Sequence, residues 1–428
     1  MRRFALATAT AVAVIVPTGI ATARTPARAQ KAVEITMWHG QVDVAAMSLK
    51  KLADRFNASH ADIHVNVQFG ANPDNMLQKL ETVVPLGDEP DIAYLYGTDA
   101  PTLAQARAIK DIRPDLKAVG SDLSDVYPAA LATALAGGKM IGTPAVIGDL
   151  AVIWNRALFR KAGLKQPSAS WSWNDYRSLA KRLTDARAGV YGTAYPASGS
   201  EDTVWRLWPM LWQQSVDVLD AKNEHAAFGG AKATKALGLL QKMAVDDKSM
   251  LLDQTPDGAK ILGLFTAGKL GMMITGAWNL TDIQKAKIDY GVQVLPGFGG
   301  KHDTISGSDL WAVFSKSDER RRAAVTFLDW LLAPEQDIVW DLDTGSLPLR
   351  SKTTKQASYT TFLRRYQGLG PFVANLRNAR HARPQLTTYP AFSAAVGKQI
   401  VRALLGRASA QDAIAAAAKD GDRALAKG

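Results

Sequence analysis

The sequence predicts an α/β fold in two lobes, each a mixed sheet flanked by helices, with a hinge between them. Three observations carry this expectation. A chain of 428 residues exceeds what one ordinary core supports, and its 47% hydrophobic content is enough to fill two. Strand-like and helix-like stretches alternate from Val33 onward, the pattern of a parallel-dominated sheet with helices on its faces. The segment from Gly142 to Leu164 has the character of a passage from one domain into another: Thr143-Pro144 favours extended chain, Ile147-Gly148-Asp149 is a polar, flexible insert, and Leu150 to Trp154 is an apolar run of strand length.

At the start of the chain, Met-Arg-Arg precedes an apolar run from Phe4 to Ile20, and Ala27-Arg28-Ala29 supplies small residues where a signal peptidase cuts. A cleaved signal over residues 1–29 is expected. The alternative, a membrane anchor, is weakened by Pro17 and Gly19, which interrupt a run only marginally long enough to span. Arg2-Arg3 resembles a twin-arginine export signal only weakly, because it stands at the very start. The chain has no cysteine, which excludes disulfides, thiolate metal sites and a lipidated cysteine, so an exported, unanchored protein is expected. The formal charge of +11 invites a nucleic-acid partner, but the signal removes Arg2, Arg3, Arg24 and Arg28 and no acid, leaving a mild +7. Clusters such as Arg320-Arg321-Arg322 are expected to be solvated faces, and no nucleic acid is expected.

Val33 to Trp38 is predicted as a strand, Leu49, Leu52 and Phe56 recur at helical spacing, and Ile63 to Phe69 is a second strand. Pro90 to Leu95 supplies a third. In such sheets ligands meet the loops after the strand ends, which singles out Trp38-His39-Gly40-Gln41 and Tyr96-Gly97-Thr98-Asp99. After the passage, Asn155 is placed to cap a short helix, Ala157 to Ala162, and Gly163 to close it in the left-handed conformation. Ser172 stands three residues before Asp175, a capping-box spacing, and the helix after it is expected to reach Leu183 with Trp173 packed at its start. Tyr191 to Glu201 is expected to be a loop. Trp205, Trp208 and Trp212 then share one face at helical spacing and are expected to be mostly core.

The catalytic inventory is poor. His60 and His64 flank a predicted strand, where i and i+4 lie roughly 13 Å apart and cannot share a metal. No Gly-x-Ser-x-Gly elbow or phosphate loop is present, and no metal, cofactor or catalytic residue is expected.

Several stretches together resemble the extracellular solute-binding proteins of ABC importers, in the carbohydrate-binding branch that includes maltose-binding and glycerol-phosphate-binding proteins. They are Trp154-Asn155-Arg156 with Leu158-Phe159-Arg160-Lys161-Ala162-Gly163-Leu164, Phe265 to Ile274 running into Gly276-Ala277-Trp278, Tyr290 to Gly297, and Gly345 to Arg350. The resemblance covers nearly the whole chain after residue 31. It implies a periplasmic-binding-protein-like fold with lobe one over residues 30–142 and 297–345, and lobe two over 143–296 and 346–428. It also implies a monomer in the periplasm or cell-envelope space that captures a carbohydrate (a sugar, amino sugar or oligosaccharide) in a cleft between the lobes, hands it to ABC permease subunits and does no chemistry. Two rivals remain: a glycerophosphodiester or polyol-phosphate binder, and a secreted polysaccharide-active enzyme.

A sugar has weakly apolar C–H faces and a rim of hydroxyls, so its site needs an aromatic plate and short polar groups. Trp278 is the expected plate, with Gly276 and Ala277 leaving backbone accessible and Asn279 able to donate and accept. The polar insert contributes Gly148 and Asp149, and the strand resembling one of lobe one contributes Gly307, Ser308 and Asp309. The strand-end loops contribute His39, Gln41, Thr98 and Asp99, and the late Ala-Arg-Pro segment contributes Arg383. Ser346 is the last candidate, at a position where relatives carry a tyrosine or similar residue.

Overall fold

Two sheets organise the computed structural model, which describes residues 31–255, 259–314 and 316–427; the signal expected over residues 1–29 lies outside them. The first sheet has the order Ile63–Phe69, Val33–His39, Ile92–Tyr96, Asp309–Val313, Gly142–Val146. Its first three strands are parallel and Asp309–Val313 runs antiparallel to both its neighbours, so the sheet is mixed. The second sheet has Ala151–Asn155 at its centre, between Met272–Thr275 and Tyr290–Val294, and is antiparallel throughout. Met272–Thr275, the helix Leu280–Lys285 and Tyr290–Val294 form a strand–helix–strand unit, but Ala151–Asn155 lies between its two strands in the opposite direction, which is why neighbouring strands are antiparallel. A parallel pair, Thr193–Pro196 with Met250–Asp253, flanks this lobe, so part of the expected loop at Tyr191 to Glu201 is strand.

Side chains alternate across each sheet and both faces are covered, which explains the uninterrupted apolar strands. In the first, Ile92, Tyr94, Trp311 and Val313 enter one core with Phe56 and Phe327, while Ala93, Leu95, Leu310 and Ala312 enter another with Met76 and Leu80. In the second, Val152, Trp154, Met272 and Ile274 pack with Trp173, Trp208 and Phe392, while Ala151, Ile153 and Met273 pack with Phe265, Phe362 and Phe372.

Several local expectations hold. Asn155 accepts a hydrogen bond from the Leu158 amide at the start of Arg156–Lys161, Gly163 has φ +62°, and Ser172 and Asp175 form a capping box on Trp173–Leu183. The arginine cluster differs from expectation. Arg320 forms an ion pair with fully buried Asp91 at 2.5 Å, and Arg321 with Asp115 at 2.8 Å. A buried carboxylate needs a partner, so the start of Asp318–Leu332 is tied to the first sheet rather than being only a solvated face.

Three passages between the sheets lie side by side. Ile147 bridges Leu347, Asp149 bridges Ser306, and the Gly307 amide donates to the Gly148 carbonyl at 2.9 Å. Thr304–Ser306 also pairs in parallel with Ala379–Ala382, which brings a fourth stretch to the same place.

Candidate functional site

Register decides which chain ends meet. Val33–His39 and Ile92–Tyr96 run parallel, so both end at one edge of the first sheet. Asp309 pairs with Tyr96 on one side and Val146 on the other, placing the start of its strand and the exit of Gly142–Val146 at that same edge. In the second sheet Ala151 pairs with both Thr275 and Val294, so the residues after Thr275 emerge beside the residues before Ala151. Gln41, Thr98, Asp99, Asp309, Gly148 and Trp278 therefore converge between the two sheets, at strand ends where α/β proteins place their ligands.

Trp278 is 50% exposed and stacks on Trp205, with ring centroids 5.7 Å apart and 24° between the planes. Glycines make room for both rings. A Cβ on Gly276 would come within 1.8 Å of Trp278 Cζ3, one on Gly148 within 3.2 Å of the same atom, and one on Gly307 within 2.9 Å of Trp205 Cζ2. Ala277 is buried at the base of the plate, and the Asn279 amide donates to Thr275 Oγ1 at 2.8 Å. The Arg383 guanidinium lies 5.9 Å from the Trp205 ring centroid, within cation–π range. It makes no hydrogen bond or ion pair among the described residues.

Carboxyl groups face this arginine from both lobes. Asp309 accepts a hydrogen bond from the Tyr94 hydroxyl at 2.5 Å. Burial raises its carboxyl to about 6, offset by Arg383 and by the Tyr94 bond. Burial likewise raises Asp99 to about 7, with Arg383 pulling it down and Asp309 pushing it up. Glu201, one helical turn before Trp205, accepts from Tyr389 Oη at 2.8 Å and from Ser393 Oγ. Its carboxyl is raised by burial, with Arg383 the largest opposing influence. All three acids keep some surface while being hemmed in by protein, as groups on the wall of a narrow cleft do.

Other expected residues are held differently. His39 is not in a loop; it ends the first strand, is 6% exposed, and accepts the Gln41 amide on Nδ1 at 3.1 Å. Burial lowers its pKa. Asp149 is fully buried, and neither carboxylate oxygen has a hydrogen-bond partner. Burial raises it well above the usual carboxylate range, and Asn375, whose Nδ2 is committed to the Leu150 carbonyl at 3.0 Å, offsets this only in part. Ser308 is buried with its hydroxyl bonded to Ser306 Oγ at 2.8 Å. Ser346 departs most from expectation. Its hydroxyl takes the Trp340 indole N–H at 3.0 Å and pairs with Thr344 Oγ1 at 2.9 Å, so it secures the end of Pro334–Thr344 instead of facing the plate.

Glu201, Tyr94 and Tyr389 are not among the residues expected at the site, and Trp205 is expected, with Trp208 and Trp212, to be mostly core. The three tryptophans do not share one helix face, because the chain breaks into Glu201–Trp205 and Trp208–Trp212. Trp208 and Trp212 are core, whereas Trp205 meets Trp278. The Glu201 and Trp205 spacing of four was the available signal. Among the described residues no three His, Asp or Glu side chains are grouped to hold a metal, and His60 instead stacks on Phe56 at 4.0 Å.

A family model described as bacterial extracellular solute-binding protein matches residues 45–338. The sn-glycerol-3-phosphate-binding periplasmic protein UgpB of Yersinia enterocolitica is 26% identical over 357 residues, which is 78% of each chain. The crystal structure of a cyclic alpha-maltosyl-1,6-maltose binding protein from Arthrobacter globiformis is 27% identical, covers 93% of this chain and 100% of its own, and superposes with a TM-score of 0.83. UgpB from Mycobacterium tuberculosis, solved with glycerophosphocholine, superposes with a TM-score of 0.79 over 92% of this chain and 99% of its own at 18% identity, a likeness of fold alone.

Proposed function

The chain belongs to the bacterial extracellular solute-binding proteins, and from that membership we propose that it captures a carbohydrate between its two lobes and delivers it to an ABC permease. It is a binding protein and not an enzyme. The observation that carries the carbohydrate reading is the half-exposed Trp278, backed by Trp205, at the meeting point of strand ends from both sheets. A flat indole face suits the C–H face of a pyranose, and Asp99, Asp309, Gln41 and Asn279 supply acceptors and donors for its hydroxyls. The relative from Arthrobacter binds a cyclic oligosaccharide, which accords with a site built this way. Lobe one is assigned to the first sheet and its helices, lobe two to the second.

The polyol-phosphate reading draws on Arg383, an arginine without an ion pair in the cleft, and on the Yersinia relative. We place it second. An incoming phosphate would meet Asp99, Asp309 and Glu201 in poorly solvated surroundings, where like charges repel strongly. The protein acts as a free monomer in the extracytoplasmic space, with no lipid anchor and no nucleic-acid partner. Among the described residues no helix is long and apolar enough to cross a membrane.

A thermal-shift screen over mono- and oligosaccharides and sn-glycerol-3-phosphate tests the proposal. A ligand that binds only the folded state stabilises it by about 2.7 kcal/mol at a hundredfold excess over Kd. A rise in melting temperature with a sugar is expected. A rise with sn-glycerol-3-phosphate alone would replace the first reading by the second.

A further inference from the structure

Charges around the tryptophan plate do not balance. Asp99 and Asp309 approach from the first sheet and Glu201 from the second lobe, with Arg383 the one cation acting on all three. Glu81 adds a further negative charge on Asp99, and Asp202 adds one on Glu201. Arg206, the other cation beside Trp205, is committed to Asp202 in an ion pair. Tyr94, Tyr389 and Ser393 are neutral hydroxyls bonded to the acids. One orphaned group belongs to the same plate: the Trp205 indole N–H is buried without a partner. Buried polar atoms without partners are uncommon and mark places where another molecule completes the hydrogen bonding.

Resting on the carbohydrate reading above, we propose that the ligand of this cleft is a hydroxylated cation: an amino sugar, or an oligosaccharide carrying a protonated amine. An ammonium group is attracted to the open face of Trp278 and forms charge-assisted hydrogen bonds with the carboxylates. With a neutral sugar the enclosed acids must be neutralised by taking up protons, because an unpaired carboxylate is costly in a dry site. The raised carboxyls of Asp99 and Asp309 fit this reading, because each holds its proton more tightly while no cation is present and would release it when one arrives.

Calorimetric titration of the full mature chain with matched sets tests this: glucosamine, N-acetylglucosamine and glucose, and the galactose equivalents, each as monosaccharide and as oligomer. The amine is expected to bind at least about tenfold more tightly than its N-acetyl counterpart, which corresponds to one charge-assisted contact. In Asp99→Asn and Glu201→Gln that ratio should fall toward one, and a ligand-free melt checks that each variant is folded. Equal or tighter binding of the acetylated or hydroxyl member overturns the inference and leaves the carbohydrate reading standing. A tenfold ratio unchanged in both folded variants also overturns it, because the acids would then play no part. If no sugar binds while sn-glycerol-3-phosphate does, the carbohydrate reading and this inference fall together.

Discussion

Trp278 and Trp205 lie face to face at 5.7 Å, the first following a strand of the second sheet and the second ending a short helix. The pair makes one plate with unequal duties. Trp278 keeps half its surface open, so truncating it removes contact area for a ligand more than it removes core. Trp278→Ala is expected to weaken sugar binding by on the order of 2 kcal/mol, roughly thirtyfold, like other aromatic anchors. The ligand-free melting temperature should barely move, whereas loss of a core tryptophan costs about 3–5 kcal/mol. Titration and a ligand-free melt on one preparation check both. A large fall in melting temperature with near wild-type binding would make Trp278 a core residue.

Gly276 offers a second approach that leaves the tryptophan in place. Its φ of −99° suits any residue, so the backbone tolerates a side chain. Space does not, because a methyl group there would sit 1.8 Å from the Trp278 ring. Gly276→Ala is expected to push the ring off Trp205, lowering sugar affinity at least about tenfold while the fold persists. Tryptophan fluorescence in the ligand-free protein reports the displacement. Unchanged emission with unchanged affinity would show that the ring is not held as described.

Much of this arrangement was legible in the sequence, and what was missed has physical causes. The first three parallel strands, the Asn155 cap, the Ser172–Asp175 box and the passage after Pro144 are local patterns, set by residues within a turn or two. The sheet partners of Asp309–Val313 are more than 150 residues away, and no local pattern encodes the Tyr94–Asp309 hydrogen bond. Trp205 was grouped with Trp208 and Trp212 because spacing alone cannot show that the helix ends between them. Ser346 shows the opposite error. A polar residue at a passage between lobes satisfied its hydrogen bonds within its own turn. Arg320 and Arg321 read as solvated in the sequence because their buried partners, Asp91 and Asp115, are distant along the chain.

Ligand should close the lobes. The passages at Ile147–Asp149, Ser306–Gly307 and Leu347 are few, short and adjacent, so they allow bending about one line. Small-angle scattering with a stabilising sugar is expected to give a smaller radius of gyration than without it. The same radius at saturation would indicate a rigid pair of lobes.

Replacing Arg350 should be severe. Its side chain is 7% exposed, forms an ion pair with 8%-exposed Asp125 at 2.7 Å, and ties the stretch after the Leu347 bridge to lobe one. Removing Arg350 leaves Asp125 only the half-exposed Lys352, 3.4 Å away, as a cation, and breaking a buried pair typically costs about 3–5 kcal/mol. Arg350→Met is expected to lower stability by that amount in denaturant titration, and Asp125→Asn in the same background should recover part of it. A loss below about 1 kcal/mol would place the pair in effective contact with solvent.

Stability should rise on mild acidification, and Asp337 and Asp341 are the main reason. Both lie on Pro334–Thr344, 3% and 0% exposed. Asp337 accepts from the Leu349 amide at 3.0 Å and Thr353 Oγ1 at 2.5 Å, yet burial still lifts it to about 7. Asp341 has no partner on either oxygen, and burial, then the neighbouring Asp337, pushes it well above the usual range. A carboxyl whose pKa is raised in the folded state binds protons that the unfolded chain does not, so stability increases as pH falls through the folded pKa. Asp99, Asp309 and Asp149 act in the same direction. His39 and His381 oppose it, since burial lowers their pKa and the unfolded chain takes up their protons first below about 6.5. Lowered acids such as Asp125, Asp247 and Asp343 lose their contribution only below about pH 4, where the unfolded carboxylates protonate. The melting temperature is therefore expected to climb from pH 8 to about pH 5 and fall below pH 4. Asp341→Asn should be more stable than wild type at pH 8 and show a flatter climb, because the buried charge is gone at every pH. A steady decline from pH 8 to 5, or an unchanged slope in the variant, would mean that these acids are solvated in the folded protein.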